Sequence, residues 1–172
     1  MKFKIAPILI VCLTLFYQVV DAKKPLNHFL CSKDQIKFDD GDSFSCGDED
    51  IRILGIDTPE IIHKEHGIFI DQPYGREAKA LTDKLLRDAK RVVIIRGGRG
   101  GYGRSLAHVL IDGELLAVNL IRAGLAHESI SRYGDNGMPE FALEVTEAAK
   151  AAPKPKFEDP YVWRKKNQKG KK

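Results

Sequence analysis

Arg52-Ile53-Leu54-Gly55-Ile56-Asp57-Thr58-Pro59-Glu60 is a strand-like run that opens on a cation and closes on two carboxylates around a Thr-Pro turn. Alternation along an extended chain puts Arg52, Leu54 and Ile56 on one face, so a charge shares a face with apolar side chains. Such an arrangement is costly unless an anion meets the charge. Working outward, Asp40-Gly41-Asp42 lies upstream and Tyr102-Gly103-Arg104 downstream.

The segments around this run set the fold. Lys33 to Phe38 alternates weakly, Asp39 to Asp42 is a strong turn signal, and Ser43 to Cys46 resumes, which predicts a hairpin. Gly47 to Asp50 turns the chain into a third strand, Ile51 to Ile56. Residues 61–74 lack any period and read as a long surface loop. From Gly75 to Lys90 the pattern becomes helical, with Ala78, Leu81, Leu85 and Ala89 in one stripe and Glu77 early, where the helix dipole favours it. Arg91 to Ile95 is β-branched, 97–101 is a glycine-rich connection, and Ser105 to Ile111 is the returning strand before Asp112-Gly113. Leu116 to Leu125 and Pro139 to Ala152 read as helices, the first closed near Gly124 and the second stopped by Pro153. These elements predict an α+β domain with a mainly β core: a five-stranded barrel of the oligonucleotide-binding (OB) type with about three helices.

The chain has 172 residues, about one domain, with 43% apolar and 30% charged residues and a net charge of +4, a modest lean toward anionic partners. Lys2 and Lys4 precede an apolar run from Ile5 to Val20, and Val20-Asp21-Ala22 offers small residues at a cleavage site, so 1–22 reads as an export leader. The rival is an uncleaved anchor, since the run approaches the ~18 residues of a membrane span. Cleavage removes two lysines and one aspartate and lowers the net charge from +4 to +3. It also removes Cys12, leaving Cys31 and Cys46, an even number suited to a disulfide in an oxidising compartment, secreted or periplasmic. Two separate buried thiols are the alternative. The expected organisation is a leader (1–22), a lead-in (23–32), the barrel domain (33–163) and a basic tail (164–172). The tail reads as a solvated, disordered end or as a nonspecific phosphate tether.

Taken together, the polar residues suit phosphodiester hydrolysis, which needs an aligned water, a base for its proton and positive charge on the phosphoryl oxygens. Asp42 and Asp57 are hard ligands that can share one Ca²⁺ with the Thr58 carbonyl. Glu60, past the rigid Pro59, is placed to act as general base. Arg52 and Arg104 carry planar guanidiniums that grip two phosphate oxygens at once. Singly, each motif has an ordinary reading: Asp-Gly-Asp is a common turn, Asp-Thr-Pro-Glu a helix start, and Arg52 a solvent-facing side chain. His63 and His66 have ligand-like spacing without a third partner and read as solvated loop histidines.

The joint occurrence of Asp40-Gly41-Asp42-Ser43, Arg52 to Glu60, Tyr74-Gly75-Arg76-Glu77-Ala78, Tyr102 to Ala107, and Asn119-Leu120-Ile121 through Gly124-Leu125-Ala126 resembles the staphylococcal nuclease (thermonuclease) family over residues 33–163. The resemblance implies a Ca²⁺-dependent enzyme on an OB barrel that cuts DNA and RNA and leaves 3′-phosphate ends. It assigns the metal to Asp42, Asp57 and the Thr58 backbone, the base to Glu60, and phosphate binding to Arg52 and Arg104. Tyr102 would lie against the bound nucleotide. Two places depart from the pattern: Gly100-Gly101 precedes Tyr-Gly-Arg, and Ile130, Arg132 and Tyr133 occupy the region where the family places base-packing tyrosines. A monomer without a stable protein partner or membrane contact is expected, and the rival reading is a noncatalytic OB module that binds nucleic acid or protein.

Overall fold

An amino-terminal strand, β1 (His28–Cys31), precedes three short strands: β2 (Ile36–Phe38), β3 (Ser43–Cys46) and β4 (Glu49–Ile53). The structure is a computed structural model that describes residues 27–169. The expected leader, with Cys12, and residues 170–172 of the tail lie outside the described residues. The predicted meander is present, with Ile36 opposite Cys46 and Ser43 opposite Arg52.

The decisive run is two strands rather than one. After Ile53 the chain turns at Gly55, whose φ of +86° suits a residue without a side chain. It then resumes as β5 (Ile56–Asp57). Ile51 and Ile53 are consequently the core-facing residues of β4, while Arg52 points the other way and lines a cleft together with Leu54 and Ile56.

Helix α1 (Gly75–Asp88) matches its expectation closely, but its buried line runs through Ala78, Thr82 and Leu86, with Leu81 and Leu85 only partly covered. Thr82 is tolerated inside because its hydroxyl donates to the Gly41 carbonyl at 2.6 Å. Strand β6 (Val92–Arg99) continues through the glycines expected to be a flexible connection, by way of an irregularity between Arg96 and Gly98. Strand β7 (Ser105–Ile111) returns along β6, and β8 (Glu114–Leu115) folds back on it. Helix α2 (Leu116–Arg122), strand β9 (His127–Glu128), the short α3 (Ile130–Tyr133), α4 (Pro139–Ala151) and α5 (Pro160–Asn167) complete the chain.

The main sheet runs β1-β6-β7-β4-β3-β2, with β4 parallel to β7 and the other neighbours antiparallel; β5 and β9 form a separate pair. This seven-stranded mixed sheet curls as an OB-type half-barrel, and the described residues hold nine strands and five α-helices in all where the sequence predicts five and about three. Phe44, Ile51, Ile53, Ile94, Val109, Leu116 and Leu120 are almost fully buried inside it. Each such side chain contributes about 1.5–3 kcal/mol of transfer free energy.

Cys31 and Cys46 are bridged, with Cα atoms 6.0 Å apart. Both cysteines flank the Asp40–Asp42 turn, but it is not the hairpin across that turn that brings them together. Cys46 lies opposite Ile36 and Cys31 opposite Val92, so the bond joins β1, at one end of the sheet path, to β3, near the other.

The tail is also different. Arg164, Lys165 and Lys166 belong to α5 rather than to a disordered end. Asp159 caps this helix through the Tyr161 N–H at 2.8 Å, Pro160 occupies its first turn, and Pro160 and Trp163 are buried. Those apolar anchors outweigh the solvation of the lysines.

Candidate active site

The Asp40–Asp42 turn is held from both sides. The Asp42 N–H donates to the Asp40 side chain at 3.0 Å, and the Asp42 carbonyl accepts from Ile53 N–H at 2.9 Å. Gly41 is required by close approach, since a Cβ there would fall 2.6 Å from the Thr58 hydroxyl oxygen. The turn thereby presses against the chain just past β5, and Asp42 accepts the Thr58 N–H at 2.7 Å.

Arg52, on β4, bridges two carboxylates, reaching Asp42 at 2.8 Å and Asp57 at 2.9 Å. Asp57 is fixed by the pairing of β5 with β9, opposite His127. Glu60 is positioned through its backbone: its N–H donates to the Gln72 side chain at 3.2 Å, and its carbonyl accepts from Gln72 N–H at 2.8 Å. Gly75, at the start of α1, packs so tightly under this turn that a Cβ would stand 2.3 Å from the Glu60 carbonyl oxygen. Arg104 donates to the Ser43 hydroxyl at 3.3 Å, and its guanidinium lies 5.8 Å from the Tyr102 ring centroid. Tyr102 is exposed and stacks on His66 at 5.0 Å.

Asp40, Asp42, Arg52, Glu60, Tyr102 and Arg104 line one cleft of about 630 Å³. Of the residues expected to form a site, only Asp57 and Thr58 are set behind its wall, buried and bonded to the lining groups.

Burial drives the Asp42 carboxyl well above the usual carboxylate range; Arg52 opposes the shift, and Asp40, Asp57 and Glu60 reinforce it. Burial likewise raises Glu60, against the pull of a further guanidinium, Arg164 of α5. Arg164 contacts both Asp57 oxygens, at 3.0 and 2.7 Å, and also Glu60. Four carboxylates (Asp40, Asp42, Asp57, Glu60) therefore gather with three guanidiniums (Arg52, Arg104, Arg164), a formal excess of one negative charge. An all-oxygen donor set with that surplus fits a hard divalent cation.

A second set of ligating atoms lies at the mouth of the cleft. Asp39, Asp40 and His63 place one donor each within 4.8 Å of one another. His63 thus has neighbouring carboxylates that the sequence did not reveal, while His66 packs edge-on against it at 4.4 Å.

The family model for staphylococcal nuclease homologues matches residues 50–156. The chain belongs to that family. It is 32% identical to a thermonuclease of Staphylococcus intermedius over 108 residues, covering 62% of this chain and 60% of the relative. It is 33% identical to a thermonuclease of Staphylococcus hyicus over 85 residues, covering 49% and 48% of the two chains. Endonuclease YncB of Bacillus subtilis is 32% identical over 105 residues, with 57% and 46% covered. The chain thus spans about half to three-fifths of the length of these curated relatives.

The nuclease-family match includes Arg52, Asp57, Thr58, Glu60 and Arg104 but neither Asp42 nor Arg164. Asp42 was legible from its turn. Arg164 was missed because it opens a run of basic residues; the signal that marks it is Asp159-Pro160 followed by Tyr161, Val162 and Trp163, a capped helix start with apolar anchors.

Proposed function

We propose that this member of the staphylococcal nuclease family is an exported, Ca²⁺-dependent nuclease that cleaves DNA and RNA with little sequence specificity and leaves 3′-phosphate ends. The observation that carries this reading is the convergence of Asp42, Glu60, Arg52 and Arg104 on one cleft, with Asp57 paired to Arg52 just behind its wall, although they are scattered over more than 60 positions of sequence.

Asp42, Asp57 and the Thr58 carbonyl would hold the cation, which when bound supplies Lewis-acid polarisation of the phosphoryl group. Glu60 takes the proton of the attacking water; burial raises its affinity for that proton, moving it toward the range where a general base works near neutral pH. Arg52, charged at any working pH, and Arg104, bonded to Ser43, the cross-strand partner of Arg52, neutralise the phosphoryl oxygens as negative charge builds there. Tyr102, exposed at the mouth, offers a face to the nucleotide. The net charge, +3 after removal of the leader, favours encounter with a polyanion. Export is supported by the leader pattern and the Cys31–Cys46 bridge. No helix among the described residues is long and apolar enough to cross a membrane.

The test is cleavage of single-stranded DNA and of RNA with Ca²⁺ and with a chelator. Glu60→Gln should bind substrate yet lose most turnover, roughly 10²-fold or more. Arg104→Lys should lose at least about tenfold, because a point charge cannot replace a planar fork. Full activity of Glu60→Gln removes the base from the scheme, and binding without cleavage by the parent favours the noncatalytic OB module.

A further inference from the structure

We infer that Arg164, carried into the cleft by the C-terminal helix, is a positioning residue that ties the Glu60 base to the Asp57 carboxylate. The inference rests on the nuclease reading above and extends it to a residue beyond the segment that the family match covers.

The contacts are specific. Arg164 Nη1 and Nη2 donate to Asp57 Oδ1 and Oδ2 at 3.0 and 2.7 Å, a two-pronged pair, and Nη1 also reaches Glu60 Oε1. Arg52 takes a further share of Asp57 Oδ1 at 2.9 Å. The guanidinium is a flat plate with donors in fixed directions, so one group sets the relative placement of two carboxylates, which a lysine cannot do. Burial works against the Arg164 charge, but Asp57 and Glu60 more than offset it and its pKa rises, so the plate stays cationic.

The helix that delivers Arg164 is secured at both ends by contacts to the rest of the domain. Gln72, which fixes the Glu60 backbone, donates to the Glu158 carbonyl at 2.6 Å. Arg132 pairs with the capping residue Asp159 at 2.8 Å. Beyond the helix, the Gln168 side chain donates to the His66 carbonyl at 2.7 Å and Lys169 N–H to the Gly67 carbonyl at 2.9 Å. A Cβ at Gly67 would stand 2.0 Å from the Lys169 carbonyl oxygen, so this docking depends on a glycine. Arg164 therefore arrives on a built support rather than as a stray surface cation.

Two consequences separate positioning from other roles. Without the plate, Glu60 loses its orientation, which lowers kcat but leaves substrate affinity to Arg52 and Arg104. At the same time a positive charge leaves Asp57, so a divalent cation binds more tightly. A phosphate-gripping arginine would instead raise KM, and a purely structural one would change both constants only as the fold loosens.

The experiment compares the full chain with Arg164→Gln, Arg164→Lys and, as a control, Lys165→Gln. It uses steady-state cleavage of single-stranded DNA and calorimetric Ca²⁺ binding without substrate. Emission from Trp163, the single tryptophan, monitors whether α5 stays docked. The expected result for Arg164→Gln is kcat lower by about 10–100-fold with KM within about twofold. Its Ca²⁺ affinity should rise about threefold or more, because a like charge has left the carboxylate. Arg164→Lys should fall between parent and Gln in kcat, and Lys165→Gln should match the parent.

Unchanged kcat, or a raised KM at unchanged kcat, overturns the inference. If Arg164→Gln undocks the helix, the docked Lys variant decides: parental turnover there overturns it. A parent that binds Ca²⁺ but cleaves nothing sinks the nuclease reading instead, and unchanged Ca²⁺ affinity in Arg164→Gln then overturns the carboxylate role separately.

Discussion

Replacing His108 by leucine should make the protein markedly more resistant to acid. His108 lies on β7, 1% exposed, with its ring centroid 4.9 Å from that of Phe141, and neither ring nitrogen finds a hydrogen-bond partner. Burial alone pushes its pKa down from 6.5 to about 4. Below pH 6.5 the unfolded chain takes up a proton at His108 that the native chain declines until about pH 4. Acidification through that window therefore favours unfolding, and the loss is complete below it. A displacement from 6.5 to about 4, at 1.36 kcal/mol per unit, corresponds to about 3 kcal/mol of stability lost on acidification. Leucine of similar bulk cannot titrate and leaves no unsatisfied nitrogen, so His108→Leu should equal or exceed the parent at pH 7.5. Its advantage should then grow by about 3 kcal/mol on going to pH 4. Urea unfolding followed by Trp163 emission, at several pH values between those limits, measures the difference. Parallel stability–pH curves for the two proteins would refute the reasoning, because they require a His108 that is protonated or solvated in the native state.

Three further outcomes follow from the same geometry. Gly75→Ala should cost about 1–3 kcal/mol in thermal or urea unfolding, since its Cβ meets the Glu60 carbonyl at 2.3 Å, and should lower kcat by displacing the base. Glu49, held by Arg96 and Ser105, has its pKa lowered to about 2, so its contribution is present above pH 4.5 and fades as pH falls toward 2. After screening at this partly exposed site, Glu49→Gln should remove about 1–2 kcal/mol of stability at neutral pH and much less at pH 2, measured by the same unfolding curves. Cys31→Ser with Cys46→Ser should cost about 3 kcal/mol in the chain-entropy treatment, read as a lower midpoint that reductant no longer changes.

The legibility of this chain varied with the physical cause. The β2–β4 meander was readable because turn chemistry at Asp39–Asp42 and Gly47–Asp50 is local, and α1 because its period is long and regular. The Arg52 to Glu60 run showed its chemistry but hid its break, since a single Gly55 inside an apolar alternation carries no sign of the φ it adopts. Strand β1 escaped because four residues of an edge strand gain their order from β6, far along the chain. Asp42, Arg52, Asp57, Thr58 and Glu60 were readable as a group because each sits in a short motif. Asp40 and His63 come together only through the loop closure at the cleft mouth. Arg164 was hidden by composition: lysines beside it suggest solvent, whereas Pro160 and Trp163 beneath it decide the outcome.

The Cys31–Cys46 bond has a consequence beyond the stability it adds. β1 covers the Val92–Ile95 margin of β6, a run of β-branched residues whose peptide groups would otherwise be open to another chain. With the sulfurs reduced, β1 keeps its short ladder and the packing of Phe29 on the core and beneath Arg96, and each time it peels away it bares a sticky seam. Where thiols persist, molecules of this protein should cross-associate through that seam; where they oxidise, the seam stays sealed.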